Sequence, residues 1–220
     1  SFRREFQRVS PAFLGSVLKR RPQFLDGRVL YLAATRGSML PSGVEAGPIS
    51  NFNFRSIPRW MREFYAFGPD CLDSEDSFFS QGVDQALASD LSAIVSITPA
   101  MIEVFLDRTI ERLTGIEPSW YRKLWGRAGR DRLAVLERVR GNSNLKLRDI
   151  WPKLNTVICW KGSICSLQLA SLTKRIGPGV EILDAIYSAT EGWMNVPMDS
   201  QRIGGPVFPS GHVIKFLPID

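Results

Sequence analysis

Short apolar runs bounded by turn residues constrain this chain more than any other feature. Val29 to Ala33, Leu91 to Ile97, Thr156 to Trp160 and Glu181 to Tyr187 are of strand length and mostly apolar. Runs of that kind suit strands buried on both faces of a sheet. The segments between them carry helical spacing. Pro11 to Arg20 places Phe13, Leu14, Val17 and Leu18 on one face, and Ile57 to Phe67 repeats the pattern through Trp60, Met61, Phe64 and Tyr65. Ser74 stands where it caps a helix from about Glu75 to Leu87. Pro99 suits the first turn of a helix running to Leu113. Another helix spans about Ile164 to Arg175, between the Gly162-Ser163 turn and Gly177-Pro178-Gly179. Thr35 to Gly47 reads as a loop, and Gly204-Gly205-Pro206 turns into a last strand, His212 to Leu217. This order predicts an α/β fold, a mixed and largely parallel sheet flanked by helices. No repeat or low-complexity linker marks a boundary, so 1–220 reads as a single domain.

Several function classes drop out. With 44% hydrophobic and 23% charged residues, the chain is not a disordered one. No apolar run is long enough to span a bilayer, and the first residues lack the order of a signal peptide. A first residue that is not Met suggests an excerpted chain. Cys71, Cys159 and Cys165 form no Cys-x-x-Cys pair, which points to a reduced, cytoplasmic protein without a zinc site. His212 is the sole histidine, which excludes a His-rich metal site. The net charge of +6 concentrates between Pro118 and Arg148. That segment suits either a surface for anions or the solvated face of two short helices. The second reading is favoured, because no nucleic-acid-binding signature accompanies the charge.

Other motifs fail on their context. Ser171-Leu172-Thr173-Lys174 lacks the companion motifs of penicillin-binding enzymes. There is no Gly-x-Ser-x-Gly elbow and no P-loop, and Ile182 stands where a dinucleotide fingerprint needs its third glycine. What remains is Tyr187-Ser188-Ala189-Thr190-Glu191-Gly192. A Tyr at a strand end offers a face for a purine. Thr190 offers a hydroxyl and an N–H to a phosphate. Glu191 offers a carboxylate to Mg²⁺, which takes a few carboxylate oxygens along with substrate phosphates. Gly192 permits close backbone approach. The same six residues also suit a core aromatic, a helix cap and a solvated charge.

Their surroundings add weight to the first reading. Ile150-Trp151-Pro152-Lys153-Leu154, Gly162-Ser163, Tyr187 to Trp193 and Phe216-Leu217-Pro218 occur in that order. The ordered set resembles the auxin-responsive (Gretchen Hagen-type) acyl-acid amido synthetases of the adenylate-forming superfamily. Ser50 to Pro58 and Leu91 to Ile102 look like its bacterial branch. The resemblance implies part of an N-terminal adenylating domain that uses ATP and Mg²⁺. A carboxylic acid would be adenylated and its acyl group passed to an amine or amino acid. Tyr187 would stack on adenine, with Ser188 and Ala189 lining its pocket. Thr190 and Glu191 would be catalytic, Thr190 on phosphate and Glu191 on Mg²⁺. Gly162, Ser163 and Trp193 would line the acyl and adenylate pocket. Where the family has Tyr shortly after its Gly-Ser turn, this chain has Leu167. The family's phosphate loop, ribose-binding Asp and mobile C-terminal domain have no counterpart in residues 1–220. These residues alone are therefore expected not to complete the reaction.

Neighbouring residues admit plainer roles. His212 suits a turn or strand edge, Cys159 and Cys165 suit buried packing, and Lys161 suits solvent. Phe52 and Phe54 suit anchoring their loop to the core. Two competing functions stand beside the leading one: a non-catalytic nucleotide- or acyl-binding module, and a nucleic-acid-binding protein using 118–148.

Overall fold

In the computed structural model, residues 2–35, 37–115, 129–189 and 192–207 are described. The apolar runs pair as one sheet of β1 (Arg28–Leu32), β4 (Leu91–Ser96), β5 (Thr156–Cys159) and β6 (Glu181–Asp184), in the order β1-β4-β5-β6. All its pairings are parallel, with Tyr31 beside Val95, Ile94 beside Val157, and Val157 beside Ile182. Side chains alternate across the sheet, as the two-residue period of a strand requires. Leu30, Leu32, Ile94, Val157 and Cys159 enter a large core with Phe105, Leu106 and Leu172. Val29, Ala93, Ile158 and Leu183 face a smaller core with Val17 and Phe24.

Strands added in one direction by right-handed crossovers place their helices on one face. Pro99–Thr114 (here α5) and Cys165–Ile176 (here α8) cover the large core side by side. Ser171 on α8 donates to Glu103 on α5, and Arg175 pairs with Asp107. The starts of both helices follow the expectation. Thr98 accepts from the Met101 N–H with Pro99 in the first turn, and α8 ends at Gly177, whose φ of +91° favours glycine. The other face is covered by α1 (Phe2–Arg20).

Three expectations are corrected. α1 starts well before Pro11, which lies inside it. Val9 extends the buried stripe of Phe13 and Val17 by one turn, so tertiary packing outweighs the hydrogen bond that proline removes. The helix predicted over 57–67 is a 3₁₀ turn, Arg59–Phe64, and the regular helix is α2 (Ile49–Arg55) just before it. Pro58 disfavours helical backbone at Ile57 and separates the two. Phe54 is buried against Tyr31 at 5.0 Å between ring centres, whereas Phe52 and Trp60 are exposed. The loop over 35–47 contains a small antiparallel ribbon, β2 (Ser38–Met39) with β3 (Glu45–Ala46).

Ser74 caps as expected, accepting from the Ser77 N–H at 3.1 Å. Its helix runs as α3 (Glu75–Ser77), a π turn (Phe78–Gly82) and α4 (Val83–Ala88). Of the two short helices expected in the basic segment 118–148, the described residues hold α6 (Arg130–Val139), and a single further turn, α7 (Leu147–Ile150), starts at its end. Residues 116–128 and the strand expected at His212 to Leu217 lie outside the described residues.

One basic residue of that segment is structural. Arg132 is only 3% exposed. It donates to the Leu87 carbonyl at 2.8 Å and to the Ile150 carbonyl, which end α4 and α7. Its guanidinium lies over Trp151, 5.7 Å from the ring centre, and Trp151 Nε1 donates to Ala86 at 3.0 Å. Burial pulls the Arg132 pKa down to about 10, opposed by the Asp90 carboxylate, so the group stays charged at neutral pH. A cation suits two helix C-termini at once. Arg132→Met is expected to lower unfolding free energy by roughly 2–4 kcal/mol, since both carbonyls lose their donor. Arg132→Lys should recover little of this, because an ammonium cannot reproduce the planar fork. Urea midpoints of the three proteins measure both effects.

Candidate functional site

Parallel strands all leave the sheet at one edge, and the loops leaving β4, β5 and β6 meet there. The ladder continues briefly beyond the strands. Ala185 N–H donates to Cys159 at 3.1 Å, while Trp160 N–H turns the other way, to Ile97, at 3.1 Å. Lys161 N–H then donates to Asp184 Oδ1 at 2.9 Å, and Gly204 N–H donates to Asp184 Oδ2 at 2.6 Å. Asp184 is 5% exposed. Sequence reading passed over it as part of an apolar strand. The available signal was a carboxylate inside such a run, which has to find partners when buried.

Gly162 and Ser163 form the turn from β5 into α8, as expected. Ser163 is exposed and has φ of +54°, the only positive φ at a non-glycine among the described residues. Its carbonyl accepts from the Ser166 N–H at 3.1 Å and the Ser166 hydroxyl at 2.7 Å, which fixes the turn from the helix side. A Cβ on Gly162 would lie 3.2 Å from Ile203 Cγ2, so the chain around 203 packs closely over this turn.

The strand predicted to reach Tyr187 ends at Asp184. Tyr187 lies beyond it and is 59% exposed, not a core aromatic. Its backbone is held on both sides: its N–H donates to Asn195 Oδ1 at 2.8 Å and its carbonyl accepts from Met194 at 2.9 Å. The predicted loop contains paired backbone. β7 (Ser188–Ala189) runs antiparallel to β8 (Gly192–Trp193), with Ser188 beside Trp193 and Ala189 beside Gly192. Thr190 and Glu191 lie outside the described residues, as do the side chains of Ser188, Ala189 and Trp193. Among the described residues, no cluster of three or more His, Cys, Asp or Glu is placed to hold a metal ion. No described helix is long and apolar enough to cross a membrane.

Residues 194–207 cross this edge as a strap. Val196 packs with Val9 and Ile186, and its N–H donates to Pro206 at 3.1 Å. Arg20, in the last turn of α1, donates to the Met198 carbonyl and to Ser200 Oγ at 3.1 Å. The Lys161 ammonium, expected in solvent, instead donates to the Ser200 carbonyl at 2.5 Å. Gly205 is required by contact: a Cβ there would lie 2.2 Å from the Val196 carbonyl oxygen.

No protein-family model matches the chain, and no curated protein sequence does. Solved structures do. The fold is similar to that of GH3.15 acyl acid amido synthetase, with a TM-score of 0.66 and 13% identity over 92% of this chain. It is similar also to AtGH3.15 acyl acid amido synthetase in complex with 2,4-DB, with a TM-score of 0.69 and 12% identity over 96% of this chain. The chain spans 42% of the length of each. At this identity the likeness is one of fold: a mixed α/β unit whose main sheet is parallel, as in these synthetases.

The cysteines near the site are packing residues. Cys159 and Cys165 are both buried. Burial, then the charge of Asp184 and the neighbouring Cys165, push the Cys159 thiol up to about 12, against a smaller opposing effect of Lys161. A thiol held protonated at neutral pH is a poor nucleophile. Native protein treated with iodoacetamide at pH 7.5 is expected to leave Cys159 unmodified, and denatured protein to be alkylated there. Peptide mass spectrometry reads the difference, and rapid native alkylation at Cys159 contradicts this assignment.

Proposed function

We propose that this chain carries the nucleotide- and acyl-contacting core of an ATP-dependent acyl-acid amido synthetase. The observation that supports it best is that the Gly162-Ser163 turn and Tyr187–Ala189 follow the neighbouring parallel strands β5 and β6 and so leave the sheet at the same edge, on a fold similar to that of such synthetases. We read residues 1–220 as a single α/β domain and as a piece of a larger adenylating domain of the bacterial-like branch, working in the cytoplasm.

In this reading the carboxylate oxygen of the acid attacks the α-phosphorus of ATP and pyrophosphate leaves. The amine nitrogen of the second substrate then attacks the acyl carbon, and AMP leaves. Catalysis of both steps rests on orientation and on stabilising charge at phosphate. Tyr187 fits the adenine role, because its ring is exposed while its backbone is pinned at N–H and carbonyl. Ser188 and Ala189 line the adenine side. Thr190 contacts phosphate and Glu191 holds Mg²⁺, whose chemistry is to neutralise phosphate charge. Gly162, Ser163 and Trp193 bound the acyl side. The close contact of Gly162 with Ile203 makes that wall partly apolar, as an acyl chain requires.

Calorimetric titration with ATP, with and without Mg²⁺, tests the reading. Tyr187→Ala is expected to weaken binding by roughly tenfold, the scale of one base-stacking contact. Glu191→Ala is expected to abolish the Mg²⁺-dependent gain while leaving metal-free binding intact. Equal Mg²⁺ dependence in Glu191→Ala and the unsubstituted chain sinks the site assignment.

A further inference from the structure

We propose that Asp184 is the positioning residue of this site: its buried carboxylate sets the Gly162-Ser163 turn against the 194–207 strap. The effect on ligand rests on the nucleotide reading above, while the positioning itself rests on geometry alone.

Two segments far apart in sequence converge on one side chain. Lys161 and Gly204 each give Asp184 a backbone N–H, one to each oxygen. Their chain neighbours, Gly162 and Ile203, are the pair that pack closely over the turn. One carboxylate therefore grips both sides of that contact. The ladder explains why it stands there. Asp184 pairs with Cys159, the last residue of β5, and Trp160 N–H is already taken by Ile97. Lys161 N–H is the next donor on the β6 side, and the carboxylate receives it in place of a backbone carbonyl.

The chemistry demands an acid. Both partners are backbone donors, so both oxygens at 184 must accept. An amide keeps one acceptor and turns its NH₂ against the other N–H. Bonds from N–H to an ionised carboxylate are also stronger than neutral ones. Two residues beyond Lys161 stands Ser163 in the left-handed region, a conformation that persists only where its surroundings over-determine it. Ser166 holds that turn from the helix side and Asp184 from the strand side.

The test compares Asp184→Asn with Asp84→Asn. Asp84 lies on α4, bonded to Arg112 Nε at 2.9 Å and Nη2 at 3.0 Å near the end of α5, away from the turn and the strap. Asp184→Asn is expected to speed amide exchange at Lys161 and Gly204 by about tenfold or more, and to weaken ATP·Mg²⁺ binding by about tenfold. Asp84→Asn is expected to lower the thermal midpoint slightly while leaving binding within about twofold. If both amides keep their protection in Asp184→Asn, the positioning claim is overturned. It is equally overturned if the two variants weaken binding alike, since a merely structural role predicts that. If the unsubstituted chain binds no ATP·Mg²⁺, the nucleotide reading fails, and exchange together with the Ser163 chemical shift decides the positioning claim. Should Asp184→Asn not fold, Asp184→Ser, with one short acceptor, takes its place under the same outcomes.

Discussion

Parallel pairing of β1, β4, β5 and β6 is the constraint on which the rest of this structure depends. Parallel neighbours need crossovers, and the crossovers between β4, β5 and β6 carry α5 and α8. Because the strand order rises steadily, the same handedness puts those helices on one face, and the second face needs cover from elsewhere. α1 supplies it, which explains why packing carries that helix through Pro11. Val9, one helical turn before Phe13, pays its way by meeting Ile186 and Val196 beyond the end of β6. The helix that completes the core thus also touches the strap.

The same constraint gathers the strand-leaving loops at one edge and leaves them in need of partners. Backbone groups past the last ladder bond cannot stay unpaired when buried. Asp184, Asn195 and Ser166 answer that need at Lys161 and Gly204, at Tyr187, and at Ser163 respectively. Holding a non-glycine residue in the left-handed region costs on the order of 1–3 kcal/mol. The contacts on either side of Ser163 offset a cost of that size, since each net hydrogen bond contributes roughly 1 kcal/mol and those to a charged group more.

Much of the fold was legible because its signals are local. The cores of β1, β4 and β5 are continuous apolar runs, and Thr98-Pro99 and Ser74 announce their helices within a few residues. What was missed depends on partners distant in sequence. α2 is seven residues long and rich in Asn and Ser, and it is held by Phe54 packing against Tyr31, Tyr65 and Phe67. Asp184 acts on residues 23 and 20 positions away, so its apolar neighbours show that it needs partners but not which ones. Gly162 and Ser163 were legible as a turn, since they follow a strand and open a helix. The strap was not, because its order comes from Arg20 and Lys161 rather than from its own propensity.

Tyr187 shows how framework and site differ. Leaving much of an aromatic side chain in water forgoes on the order of 1–2 kcal/mol of burial. An exposed ring on a loose loop would need no explanation. Here the backbone carrying it is bonded at both its N–H and its carbonyl, to Asn195 and Met194. Those partners belong to a strap tied to α1 through Arg20 and Ser16, to β5 through Lys161, and to β6 through Asp184. The chain thus fixes the backbone from which an unburied ring extends. In the proposed nucleotide reading a base would cover that ring, and its held backbone would lower the ordering cost of binding.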